Sequence, residues 1–76
     1  MELRLRLRDL REDKDKSQTQ IARLLNCSQQ TYSRYESHTT EMPLESLIIL
    51  ADYYNTSVDY LLGITNNKEP YPRVKT

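Results

Sequence analysis

Apolar side chains recur three and four positions apart along most of this chain, and the recurrence breaks into five short segments. In residues 2–14, ELRLRLRDLREDK, Leu3, Leu7 and Leu10 fall at i, i+4 and i+7, which predicts an amphipathic helix. Leu3, Leu5 and Leu7 also alternate, which suits a strand. Arginine, leucine and glutamate favour helices and no β-branched residue occurs here, so helix is the expectation, with Leu5 partly exposed and strand as the alternative. Ser17 opens the second segment. Ser17-Gln18-Thr19-Gln20 reads as a capping box, in which Ser17 and Gln20 each satisfy a free backbone donor of the other. Ile21, Ala22 and Leu25 form its apolar stripe. Asn26 suits the left-handed position that follows a helix, and Cys27 is a small apolar plug at the corner.

Ser28 caps the third segment. At about 100° per residue, Gln29 taken as zero leaves Gln30 near 100°, Ser33 near 40°, Arg34 near 140° and Ser37 near 80°. Ser28, Tyr32 and Tyr35 fall between about 240° and 300°. A polar face and a ring-bearing face therefore separate, and the two tyrosines are expected in the core. Residues 37–43, SHTTEMP, read as a loop, with Pro43 suited to the first turn of a fourth helix. Leu44, Leu47, Ile48, Leu50, Ala51 and Tyr54 make that helix the expected centre of the core, and Asn55 ends it. Ser57 caps a fifth helix, Asp59 sits favourably in its first turn, Val58, Leu61 and Leu62 point inward, and Gly63 terminates it. Tyr53 and Tyr60 are expected at the surface, Tyr60 and Leu61 being candidates for a dimer contact. Residues 64–76 carry two prolines and few apolar groups and are expected to form a flexible tail.

At 76 residues the chain is one domain. Its 37% hydrophobic content suffices for a core and its 29% charged content for a soluble surface. A single cysteine and a single histidine exclude an internal disulfide and a zinc cluster of three or four Cys/His ligands. No apolar run approaches the roughly 20 residues of a membrane span, and Leu–Arg alternation at the N-terminus does not resemble a signal peptide. The cytoplasm is therefore the expected compartment, and no membrane partner is expected. Net charge is zero. Its distribution is uneven: residues 1–40 sum to +2 and residues 41–76 to −2, with four acids and no base between 41 and 62. Such a dipolar chain can turn a basic side to nucleic acid, although nonspecific affinity would be modest.

The ordered series LRDLRED, SQTQIARLL, NCS, SQQTYSRYE and PLESLIILADYYNTSVDYLLG resembles the Cro/C1-type helix-turn-helix family of phage repressors and xenobiotic-response-like bacterial regulators. The likeness covers residues 1–63. It implies an all-α, compact five-helix bundle of the lambda repressor-like DNA-binding class, with the helix-turn-helix at helices 2 and 3. It also implies a sequence-specific regulator, most simply a repressor, bound to double-stranded DNA as a homodimer. The family's position for a phosphate contact falls on Gln18. Its base-reading positions fall on Ser28, Gln29 and Gln30, with Ser33 and Arg34 one turn further along. An Arg–Glu pair tying helix 1 to the recognition helix falls on Arg11 and Glu36. Asn26 replaces the usual turn glycine, Cys27 a usual valine or isoleucine, Asp15-Lys16 a common Gly-Leu, and His38 a glycine that often follows helix 3.

Glutamine amides suit this work because a paired donor and acceptor match adenine N6 and N7. Gln30 has a second reading, packing over Gln18 to position it. Arg34, near the edge of the polar face, suits a phosphate better than guanine. Ser37, His38 and Thr39 are further phosphate candidates. Two half-sites about 34 Å apart would place both recognition helices on one side of a pseudo-palindromic operator. Two other functions fit the same fold: a DNA-binding antitoxin whose acidic half holds a toxin, and an antirepressor-like protein-interaction module that does not bind DNA, which zero net charge favours. No nucleophile–base pair, glycine-rich phosphate loop or metal cluster is visible, so neither enzyme activity nor a cofactor is expected, and no effector site is evident.

Overall fold

A computed structural model describes residues 5–72 and contains five α-helices, with no strand among the described residues. They are α1 (Leu7–Asp13), α2 (Gln18–Leu24), α3 (Gln29–Glu36), α4 (Leu44–Tyr53) and α5 (Val58–Leu61). Helix α1 begins later than the leucine spacing suggests. Arg6 donates its backbone N–H to the Leu61 carbonyl at 2.9 Å, which ties the residue just before α1 to the end of α5. Leu5 is half-buried there, whereas Leu3 lies outside the described residues.

The serine caps form where the pattern places them. Ser17 Oγ accepts from the Gln20 N–H at 3.1 Å and Gln20 Oε1 accepts from the Ser17 N–H at 2.8 Å, closing the capping box. Ser28 and Ser57 accept from the N–H groups of Thr31 and Tyr60. All five helices end alike. Asp15, Asn26, His38, Asn55 and Gly63 each take a positive φ between 54° and 77° just past the last turn. Each N–H, and the next one along, returns to a carbonyl of the closing turn, as with His38 to Tyr35 and Thr39 to Arg34. This double return satisfies carbonyls the helix would otherwise leave open.

Each helix sends one side chain to the centre: Leu7, Ile21, Tyr32, Leu50 and Leu61 are all at most 1% exposed. Tyr35 and Tyr54 join them, and the rings of Tyr32 and Tyr35 meet edge to face at 6.4 Å. Three expectations about this core and its edge fail. Leu44 and Ile48 are 67% and 50% exposed rather than packed. At about 100° per residue the buried arc of α4 runs from Leu50 to Ala51, and Leu44 and Ile48 fall just beyond its edge. Leu61 is fully buried, so it is not part of an outer contact surface. Tyr53 and Tyr60 are half-buried rather than at the surface, Tyr60 beneath the Arg6 guanidinium, 4.1 Å from the ring centre.

Residues 64–72 run back over the bundle. Arg6 donates to the Thr65 carbonyl at 3.0 Å and to Asn66 Oδ1 at 2.6 Å. Thr56 donates to the Lys68 carbonyl at 2.6 Å, and the Tyr71 hydroxyl to Asp59 at 2.8 Å.

Candidate nucleic-acid interface

Gln18 and Gln29 are the first residues of α2 and α3. The turn between these helices, with Asn26 at φ 58°, brings the two amides together. Gln29 Nε2 donates to Gln18 Oε1 at 2.6 Å. Gln18 Nε2 in turn donates to Glu36 Oε1 at 3.1 Å, at the far end of α3. Glu36 also accepts from Arg11: Nε reaches Oε2 at 2.7 Å and Nη2 reaches Oε1 at 3.2 Å. The third arginine nitrogen, Nη1, holds the Lys16 carbonyl at 2.9 Å. One connected network thus joins α1, the approach to α2, α2 and α3.

The inner end of this network is dry and its outer end is wet. The Glu36 and Arg11 side chains are 7% and 14% exposed, whereas Gln29 is exposed. Burial alone would raise the Glu36 carboxyl, but the Arg11 hydrogen bond, the neighbouring Tyr32 phenol and the Gln18 hydrogen bond, in that order, outweigh it and hold it below the usual carboxylate range. The same hydrogen bond raises Arg11. The buried Tyr32 phenol is pushed far up, first by burial and then by the neighbouring Glu36 charge. Cys27, half-buried in the turn, has its thiol raised by burial alone, consistent with an inert filler.

The other candidate residues divide by what their polar atoms already do. Gln30 and Arg34 are exposed on the outer face of α3, and Ser33 is half-buried beside them. Gln29, not Gln30, packs against Gln18. The Ser28 hydroxyl accepts from the Thr31 N–H and donates to Thr31 Oγ1 at 2.9 Å, so its hydrogen is engaged in the cap. Ser37, His38 and Thr39 are exposed at the C-terminal end of α3. Ser37 Oγ and Thr39 Oγ1 hydrogen-bond each other at 2.8 Å, and Ser37 also reaches the Arg34 carbonyl at 3.2 Å. Sequence reasoning missed Glu36 as an acceptor for Gln18, and Gln18 as the partner of Gln29. The available signal was glutamine at the opening position of both helices of the motif, eleven residues apart.

A helix-turn-helix family model matches residues 7–61, and all five helices lie within that stretch. The chain belongs to the Cro/C1-type helix-turn-helix family. Among members of the family it is similar to two proteins of Bacillus subtilis (strain 168). The uncharacterized HTH-type transcriptional regulator YobD is 38% identical over 65 residues, covering 86% of this chain and 58% of that protein. The HTH-type transcriptional regulator AnsR is 40% identical over 68 residues, covering 90% and 59%. The crystal structure of a transcriptional regulator from Listeria innocua has a TM-score of 0.81 and 32% identity, covering 88% of this chain and 64% of that one. The chain therefore spans just under three-fifths of the length of these two curated relatives. No helix among the described residues is long and apolar enough to cross a membrane, and no group of three His, Cys, Asp or Glu residues there could hold a metal ion.

Proposed function

We propose that this chain binds DNA as a transcriptional regulator, laying α3 in the major groove. The observation that carries the reading is the exposed Gln29 amide, held from behind by Gln18 and Glu36. A solvated glutamine would be free to rotate. This one is oriented before any base arrives, which lowers the entropy cost of a bidentate contact to adenine. Gln30 and Ser33 lie beside it as further base readers. Arg34, at the edge of the face, serves a phosphate. Ser37, His38 and Thr39 offer weaker phosphate contacts, because the C-terminal end of a helix dipole repels anions. The hydroxyl hydrogen of Ser28 stays in the cap, so its contribution to reading is through shape.

Repression by a homodimer on a pseudo-palindromic operator is the simplest form of this activity. A domain about 30 Å across lets two copies side by side set their α3 helices about 34 Å apart, one turn of duplex. The same family relationship supports a cytoplasmic, non-enzymatic role without a cofactor.

The test is selection of bound fragments from random DNA, followed by gel shifts at two salt concentrations. The reading requires a selected sequence with two-fold symmetry and affinity that falls steeply with salt. Zero net charge favours a second reading, a module that binds a protein instead of DNA. Salt-insensitive or undetectable binding to every fragment would leave that reading in place of the first.

A further inference from the structure

The hydrogen bonds behind Gln29 run in one direction only, and that direction has a consequence for which base pair the residue accepts. We propose that Glu36 is a positioning residue that fixes the donor–acceptor order of the Gln29 amide, so that the protein distinguishes A·T from T·A at one position of its site. The proposal rests on α3 reading DNA, as argued above.

Glu36 sets the polarity. As a carboxylate it only accepts hydrogen bonds, and its depressed pKa keeps it in that form at neutral pH. Gln18 must therefore turn its NH2 group toward Glu36, as it does at 3.1 Å. That leaves Gln18 Oε1 facing Gln29, and an oxygen there can only accept. Gln29 must then turn its own NH2 group inward, as it does at 2.6 Å. Two amides, each reversible when isolated, are locked in sequence by one buried charge. Arg11 holds that charge in place through two bonds to the same carboxylate.

The outer edge of Gln29 then presents one remaining N–H on the side of Gln18 and Oε1 on the side away from it. Adenine offers N7 as acceptor and N6 as donor, in that order along the major groove. Exchanging A·T for T·A puts the thymine methyl and O4 where adenine N7 and N6 stood. An amide free to flip could turn over and still donate one N–H to thymine O4. An amide held by Gln18 fits only adenine, because against the exchanged pair its N–H meets the thymine methyl and its Oε1 meets the O4 acceptor.

The experiment uses the full chain and the selected operator. Gln29→Ala first identifies the position at which base preference is lost. Probes carrying A·T or T·A at that position are then competed against wild type, Gln18→Met and Glu36→Gln. Gln18→Met keeps the Arg11–Glu36 pair and removes only the link. Glu36→Gln replaces the acceptor-only group by one that can also donate, and circular dichroism confirms that it is folded at the assay temperature. Wild type is expected to prefer one orientation by about tenfold or more. Both variants are expected to narrow that ratio severalfold, whatever happens to overall affinity. A ratio preserved in Gln18→Met, with affinity for both probes falling alike, makes the network a scaffold only and overturns the proposal while leaving DNA reading by Gln29 intact. If Gln29→Ala changes preference at no position, the recognition reading fails and this inference fails with it.

Discussion

The Arg11 guanidinium meets the Glu36 carboxylate at 2.7 Å across the junction of α1 and α3, with both side chains largely removed from water. A pair so placed is expensive to break from one side, because the surviving charge stays buried. Arg11→Met is expected to lower the free energy of unfolding by about 3 kcal/mol. Urea denaturation measures it. A loss under about 0.5 kcal/mol would equate the pair with an ordinary exposed one.

The same pair gives stability a pH dependence. Glu36 has a folded-state pKa below its ordinary value, because Arg11 and Gln18 hydrogen-bond its ionised form. The stabilisation is complete above the unfolded carboxyl value of about 4.3 and is lost as pH falls through the depressed folded value. The stability gap between wild type and Glu36→Gln is therefore expected to be widest above about pH 5 and to close in acid. Denaturation midpoints of both proteins, followed from pH 7 to pH 3, check this. A gap of constant size would assign the titration elsewhere.

The fold was legible where a residue acts on its own backbone neighbours. Ser17, Ser28 and Ser57 mark helix starts, and Asn26, Asn55 and Gly63 mark ends, because caps depend on a few adjacent residues. Tyr32 and Tyr35 were assigned to the core by spacing alone. The start of α1 was not legible, since the bond from the Arg6 N–H to the Leu61 carbonyl joins residues far apart in sequence. Leu44 and Ile48 misled because apolar character says nothing of where a buried arc stops. At the candidate site, spacing put Gln29 on the polar face. It did not show that Gln29, rather than Gln30, lies against Gln18, nor that Glu36 stands behind both, since those contacts depend on how α2 and α3 dock.

His38 occupies a left-handed position, φ 63°, without the freedom of glycine. A residue with a Cβ costs about 1–2 kcal/mol there, while glycine gives back part of that in unfolded-chain entropy. His38→Gly is expected to stabilise the protein by roughly 0.5–1 kcal/mol. Asn26→Gly should gain less, because asparagine tolerates this region better. Thermal melts of the two variants beside wild type rank them. A destabilised His38→Gly would mean the imidazole makes a contact worth more than the backbone strain.

Arg6 carries three interactions at once. Its guanidinium covers the Tyr60 ring and donates to the Thr65 carbonyl and to Asn66 Oδ1. The last two fasten the beginning of the 64–72 segment, which Thr56 and Tyr71 hold further along. Composition alone makes this stretch a loose tail: it is polar and contains two prolines. Four hydrogen bonds to the body oppose that tendency, each worth about 1 kcal/mol at most against the entropy of ordering the chain. The balance is close enough for one residue to tip it. Trypsin cleavage after Lys68 reports it directly, because the protease needs a locally extended, detached chain. Arg6→Ala is expected to speed that cleavage severalfold while α1 to α5 remain folded by circular dichroism. Thr56→Val, which removes the bond to the Lys68 carbonyl itself, should do the same. Wild type cut as fast as both variants would show that these bonds do not hold the segment in solution, and the domain would then end at Gly63.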